Sequence, residues 1–519
     1  MPAVDPLVLD NHSHMRAGAE KSPRCDTDRH EEKRNTMRTQ HALFAAGFLI
    51  LLLATVLVRP ITGGDASEYL HMTHGWINHW SPDLRPEDGN TAEPILEAMG
   101  YTDYAFGRGY YGTDNGRLFS SHFWLYSLAM VPATLFMRLI NGNEFAVFQL
   151  TNVLFFMAAI AVALRYGEGN RFVFLGLSVL SPVLWYLRWP GPEVYTWSFV
   201  SMSLALATAK RYSPAALCAA LAATQNQSLV FLVAFIVFLA LNTGHLATIA
   251  STVAAGLFSL APVVFTYAFY GHLSPFTAFG LVDPSLISPQ RTTSFLFDLN
   301  QGMLPYVPFL LVSLAAVTFM IATRRDFIGL CALITIAFVI LPTEAQPNWN
   351  GGQMGMARYA VWVVPICAWL VSQHVPSGRN MNRLFAVVFA VEVALLTYHS
   401  NHMNYLTHTP LAAYILETAP ALYDPDPEIF AERLLEYDGV ELGNAHTKPR
   451  EPAERSPLPI AFVSKTGDVT KILSDVRSLE ILPTLFTVEA PYLDRVRLQH
   501  TYYQNLFYLN PPRGAVRTR

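Results

Sequence analysis

The chain has 519 residues, of which 14 % are charged and 52 % belong to the hydrophobic set, with a formal net charge of −4. A soluble protein carries about 25 % charged residues, so the composition excludes an ordinary soluble domain and points to a membrane protein. The small net charge and the lack of a basic stripe exclude nucleic acid as a partner.

In chain order, residues 1–41 are polar and read as a disordered cytoplasmic tail, its histidines His12, His14 and His30 as solvated side chains. A hydrocarbon core about 30 Å thick needs about 20 apolar residues as helix. Such runs lie near 42–58, 122–140, 145–164, 171–188, 192–208, 214–223, 228–242, 246–270, 304–323, 327–342, 357–373 and 383–399. The first follows a basic cluster, but it is too long for a signal core and lacks a small-residue cleavage site, so it reads as a retained anchor.

Positive charge on the cytoplasmic side sets the orientation. Lys33, Arg34 and Arg38 place the N-terminus inside. If 122–140 spanned fully, Arg165, Arg171, Lys210 and Arg211 would fall outside. If it lies in the interface they fall inside, with Arg324, Arg325, Arg379 and Arg383. His122, Pro132 and Arg138 within that run also suit an interfacial or re-entrant helix.

The expected fold is therefore an α-helical polytopic membrane protein. Eleven spans occupy residues 42–400, and a long first outside loop, 59–144, carries interfacial helices. The N-terminus is cytoplasmic, and residues 401–519 form a small mixed α/β module outside. There YDPDPEIFAERLLEYDG reads as a short helix, and PIAFVSKTGDVTKILSDV as a strand and then a helix. Cys218, Cys331 and Cys367 lie in or near apolar runs and Cys25 in the tail, so no disulfide framework is expected.

Ionisable groups are costly in lipid, so they mark function or sit in water. In this topology the acids gather on the outer face. Asp65 and Glu68 open the first outside loop in GGDASEYLHMTHGWINHW, Glu193 sits in RWPGPEVY, and Glu344 in PTEAQPNWNGG. Asp65 stands at a helix start, where a carboxylate is favoured. On spacing alone a helix cap and a functional site both remain open. Asp65, Glu68 or Tyr69, Met72, Trp76 and Trp80 share one helical face, which suits a helix at headgroup level. His71, His74 and His79 read as interfacial residues rather than metal ligands. Glu193 follows Pro190 and Pro192, with Arg188 near enough to pair. Arg358, in NWNGGQMGMARY, reads either as a phosphate ligand or as an interface anchor. Glu392, the one mid-span acid, reads as a buried pair or a relay.

GGDASEYL, with Asp65 four residues before Tyr69, resembles the first outside loop of the integral-membrane glycosyltransferases of the C superfamily. That superfamily includes protein O-mannosyltransferases, the aminoarabinose transferase of lipid A and oligosaccharyltransferases. Ala66 follows Asp65 where many members have a second acid, and here that acid comes at Glu68. NGRLFSSHFWLYSL, LNQGMLPYVPFLL and NWNGGQMGMARYAVWVVP look like segments of uncharacterised bacterial members, so the likeness covers roughly residues 42–400. It implies an enzyme of the inner membrane that moves a sugar from a polyprenyl-phosphate-linked donor to a glycan, lipid or protein acceptor among the membrane lipids, by inverting displacement. Asp65 would be the base on the acceptor hydroxyl. Arg358 would neutralise the leaving phosphate, and Glu193 would help hold the acceptor or a divalent cation. Glu68, Tyr69 and Glu344 would line the substrate site. A membrane transporter or lipid flippase is the competing reading, with TQNQS as a break between two short helices, and a catalytically inactive envelope scaffold is a third.

Overall fold

A computed structural model describes residues 46–53, 58–101, 109–274, 282–346, 355–401, 407–418 and 422–423, and four strands further on. The N-terminal tail, NWNGG and the expected helix in YDPDPEIFAERLLEYDG lie outside the described residues. The chain divides into two units, Met1–Ala54 and Thr55–Arg519. In the first, residues 46–53 are helical.

In the second, the elements up to the last outside loop run as follows: α1 (Ala66–His79), α2 (Pro86–Ala98), a β1–β2 hairpin (Tyr110–Gly112, Leu118–Ser120), α3 (Leu125–Leu139), α4 (Val147–Tyr166), α5 (Arg171–Val179), α6 (Val183–Tyr186), α7 (Glu193–Thr208), α8 (Tyr212–Gln225), α9 (Val230–Leu241), α10 (Leu246–Gly256), α11 (Ala261–Tyr270), α12 (Pro289–Phe297), α13 (Pro308–Arg324) and α14 (Phe327–Ile340). Three helices follow, α15 (Ala360–His374), α16 (Arg379–Ser400) and α17 (Pro410–Thr418).

The protein is mainly helical, and four helices among the described residues are long and apolar enough to cross a membrane: Glu144–Tyr166, Leu246–Tyr270, Phe327–Ala345 and Arg379–Ser400. This composition and these helices mark an α-helical membrane protein. Five further expected spans fold as helices of 12 to 17 residues, and 171–188 breaks around Pro182 into α5 and α6, of 9 and 4 residues. A 14-residue helix reaches only about 21 Å at 1.5 Å per residue. Burial by protein explains the short ones. α7 lies at the centre, against α4, α8 and α15. In α8, Ala215, Ala216, Ala219, Ala220, Ala222 and Ala223 are all buried. Alanines let helix backbones approach closely where bulky side chains would hold them apart.

The first-loop helices pack on one another. Ser127 Oγ of α3 donates to the Tyr69 carbonyl of α1 at 3.1 Å, and Thr73 Oγ1 donates to the Ser127 carbonyl at 3.3 Å. Tyr69 and Met72 are buried, whereas Trp80 is 78 % exposed. The aromatic face of α1 is thus turned mainly into protein rather than laid against headgroups. The histidines of α1 each have a protein partner: Nδ1 of His71 meets the Tyr110 hydroxyl at 2.8 Å, His74 meets Arg138 at 2.8 Å, and His79 meets Asp88 at 2.9 Å.

Near the C-terminus, β3 (Ile460–Ser464), β4 (Val469–Leu473), β5 (Arg497–His500) and β6 (Leu506–Asn510) form an antiparallel sheet in the order β4-β3-β6-β5. Val469–Leu473, expected as helix, is a strand whose Leu473 lies opposite Ile460. Its β-branched Val469, Thr470 and Ile472 favour a pleated partner over a helix. The three described cysteines, Cys218, Cys331 and Cys367, are free.

Candidate active site

Gly63 and Gly64 turn the chain into α1. Gly64 adopts φ +57°, and its α-carbon lies against the indole of Trp189, where a methyl group would come within 2.8 Å of the ring. The next residue, Asp65, holds the N-cap position of α1 but makes no side-chain capping bond. Its carboxylate goes elsewhere. Nη2 of Arg358 donates to Asp65 Oδ2 at 2.8 Å, and His122 Nε2 lies 3.4 Å from the same oxygen. The geometry therefore separates the two readings of this residue: Asp65 faces distant charges, not its own helix.

Arg358 lies two residues before α15, and its Nε donates to Glu193, the first residue of α7. Three segments, 293 and 165 residues apart along the chain, thus meet at one guanidinium. On the other flank, His122 Nε2 stands 2.7 Å from Glu68 Oε2, and the imidazole stacks on Tyr69 with ring centroids 4.9 Å apart. Gly109, at φ +90°, leaves its face open for the Glu68 carboxylate, which a methyl group there would strike.

Accessibility sorts the members. The side chains of Asp65 and His122 keep 27 % and 25 % exposure, while Arg358 keeps 10 % and Glu193 1 %. Asp65 and His122 can meet a substrate. Glu193 lies behind Arg358 and fixes it.

The electrostatics follow from this arrangement. Burial opposes charge on Asp65, but the Arg358 guanidinium and the His122 imidazolium outweigh it and hold the carboxyl far below the usual carboxylate range. Burial also disfavours the imidazolium, yet Asp65 and Glu68 push the His122 pKa up to about 10. Glu68 moves upward, because burial and the Asp65 charge outweigh His122.

Asp65, Glu68 and His122 each offer one ligand atom, all within 4.8 Å of one another. Two carboxylates and one imidazole form a donor set suited to Mn²⁺ or Zn²⁺ once His122 has given up its ring proton, so these residues would hold a divalent cation in place of the imidazolium ion pairs.

Of the residues singled out from the sequence, Asp65, Glu68, Tyr69, Glu193 and Arg358 come together. Glu344 does not join them. It is buried, accepts from Thr292 Oγ1 at 3.0 Å, and its carbonyl accepts from Arg291 at 2.7 Å. Two residues on, Gln346 accepts from Tyr359, the residue after Arg358. Glu193 does not pair with Arg188. His122 is the residue that sequence reasoning missed. Its only signal was a histidine at the head of an apolar run, read there as a sign of interfacial location.

No family model, no curated protein and no solved structure matches this chain.

Proposed function

We propose that this protein is a membrane glycosyltransferase that moves a sugar from a polyprenyl-phosphate-linked donor to an envelope acceptor. The observation that carries this reading is the meeting of Asp65, Glu193 and Arg358, from three separate loops, in one charged cluster whose accessible acid is Asp65. The site would face the outer side of the inner membrane, with the N-terminus cytoplasmic, eleven crossings and the C-terminal module outside.

In this mechanism Asp65 orients the acceptor hydroxyl for attack at the anomeric carbon, and the new C–O bond forms as the bond to the donor phosphate breaks and polyprenyl phosphate leaves. A carboxylate held this low accepts the proton late, as C–O bond formation acidifies the hydroxyl. General-base help contributes up to about 10²–10⁴-fold and most when the base's pKa is near the working pH, so a carboxylate this acidic acts first by orienting the hydroxyl. Arg358 keeps Asp65 ionised and oriented, a different role from the phosphate contact expected of it, and Glu193 fixes Arg358. His122 holds Glu68 and Asp65 on the other flank. A divalent cation on Asp65, Glu68 and His122 would supply Lewis-acid charge for a developing anion.

The competing reading, a transporter or flippase, has one observation in its favour. Glu392 is 3 % exposed within the long apolar helix α16, and among the described residues its Oε2 has no hydrogen-bond partner. The test is mass spectrometry of envelope glycans and glycolipids in a deletion strain carrying either the wild-type gene or the Asp65→Asn variant. Loss of a glycosylated product in the deletion, restored by wild type only, supports transfer. Restoration by Asp65→Asn at an equal protein level removes Asp65 from the mechanism.

A further inference from the structure

If Arg358 is enclosed by Asp65 and Glu193, another group must receive the phosphate of a lipid-linked donor. Arg188 lies on the short turn between α6 and α7. The next residue, Trp189, places its indole against Gly63 and Gly64, directly before Asp65. Five residues on from Arg188 stands Glu193, bonded to Arg358. The turn is further anchored by Asn152, whose Nδ2 donates to the Trp189 carbonyl at 3.0 Å, and by Tyr186, whose hydroxyl donates to the Met356 carbonyl at 3.4 Å. Arg188 thus belongs to the rim of the same site.

The guanidinium has little to satisfy it. Its Nη2 donates to the Arg59 carbonyl at 2.5 Å, and its buried Nε has no acceptor among the described residues. Among the described residues neither Arg188 nor Arg59 forms an ion pair with a carboxylate, and Arg59 is exposed. Arginine carries five N–H donors in a planar fork. Leaving them half-withdrawn from water without an anion is unfavourable. Phosphate oxygens match that fork bidentately. Arg59 directly follows the first apolar run, which puts this cationic pair where a headgroup would stand.

We infer that Arg188, with Arg59, forms a binding site for the phosphate head of a membrane lipid beside Asp65. On the glycosyltransferase reading, on which the identity of that lipid rests, it is the polyprenyl donor. Native mass spectrometry of the full-length protein in detergent tests this with three probes: polyprenyl phosphate, phosphatidylglycerol and inorganic phosphate. Wild type should retain polyprenyl phosphate. Arg188→Ala should bind it about tenfold to a hundredfold more weakly, the range for a lost charge-assisted contact, and Arg59→Ala should weaken it less. Arg188→Gln keeps a donor for the Arg59 carbonyl and serves if the alanine variant does not fold.

Equal binding by wild type and Arg188→Gln overturns the inference and leaves the proposed transfer standing. Arg188-dependent binding of phosphatidylglycerol with no preference for the polyprenyl lipid upholds the phosphate site and counts against the donor. Arg188-dependent binding of inorganic phosphate alone, or of no probe at all, overturns a lipid site.

Discussion

At the scale of single residues, the decisive relation is between Asp65 and its two cations. On the proposed mechanism, Asp65→Asn keeps the shape but removes the charge that would orient the acceptor hydroxyl and take its proton, and transfer should fall by up to about 10²–10⁴-fold, measured as product formed per unit of protein. His122 gives a pH signature. Its pKa in the fold is about 10, against an ordinary 6.5. A group raised in this way contributes stability that is fully present below the unfolded value and is lost as pH rises through the folded one. Thermal unfolding in detergent should therefore show a midpoint that declines between about pH 7 and about pH 10 in wild type. His122→Gln should be flatter over that window, and an equal slope in both would detach His122 from the carboxylates.

At the scale of elements, Arg358 joins α1 to the segments that begin α7 and α15. Arg358→Ala strands the buried Glu193 without its cation and leaves Asp65 with His122 alone. Breaking a buried pair from one side costs about 3–5 kcal/mol, to be read from chemical unfolding. Arg358→Lys retains the charge but not the fork that reaches two acids, so it should recover only part of that loss. The hairpin side has its own test. Gly109→Ala forces an L side chain into φ +90° and pushes a methyl group into the Glu68 carboxylate. It should destabilise the protein by about 1–2 kcal/mol and abolish the pH dependence that Glu68 contributes through His122.

At the scale of the whole molecule, orientation is the testable property. Asp114, Glu168 and Arg325 are exposed. In a cysteine-free background, Asp114→Cys should react with a membrane-impermeant thiol reagent applied to intact cells. Glu168→Cys and Arg325→Cys should react only after the membrane is opened. Labelling of position 168 from outside would overturn the placement of 122–140 in the interface.

Sequence by itself determined the class: the scarcity of charge and the apolar runs require a lipid or protein interior, whatever the packing. It also gave the approximate place of nearly every helix, because apolar length and Pro or Gly breaks are local properties. It singled out Asp65, Glu193 and Arg358 because ionisable groups at span ends are few. Tertiary structure alone decided the rest. Whether Asp65 caps α1 or faces Arg358 depends on a residue 293 positions away, and no local spacing encodes that. The fate of the alanine-rich α8 depends on which neighbours bury it. His122 looked like an interfacial residue until the fold set it between two carboxylates, and Arg188 lost its expected acid because Arg358 had taken Glu193. Charge pairing is a long-range choice among several partners, and only the packed chain makes it.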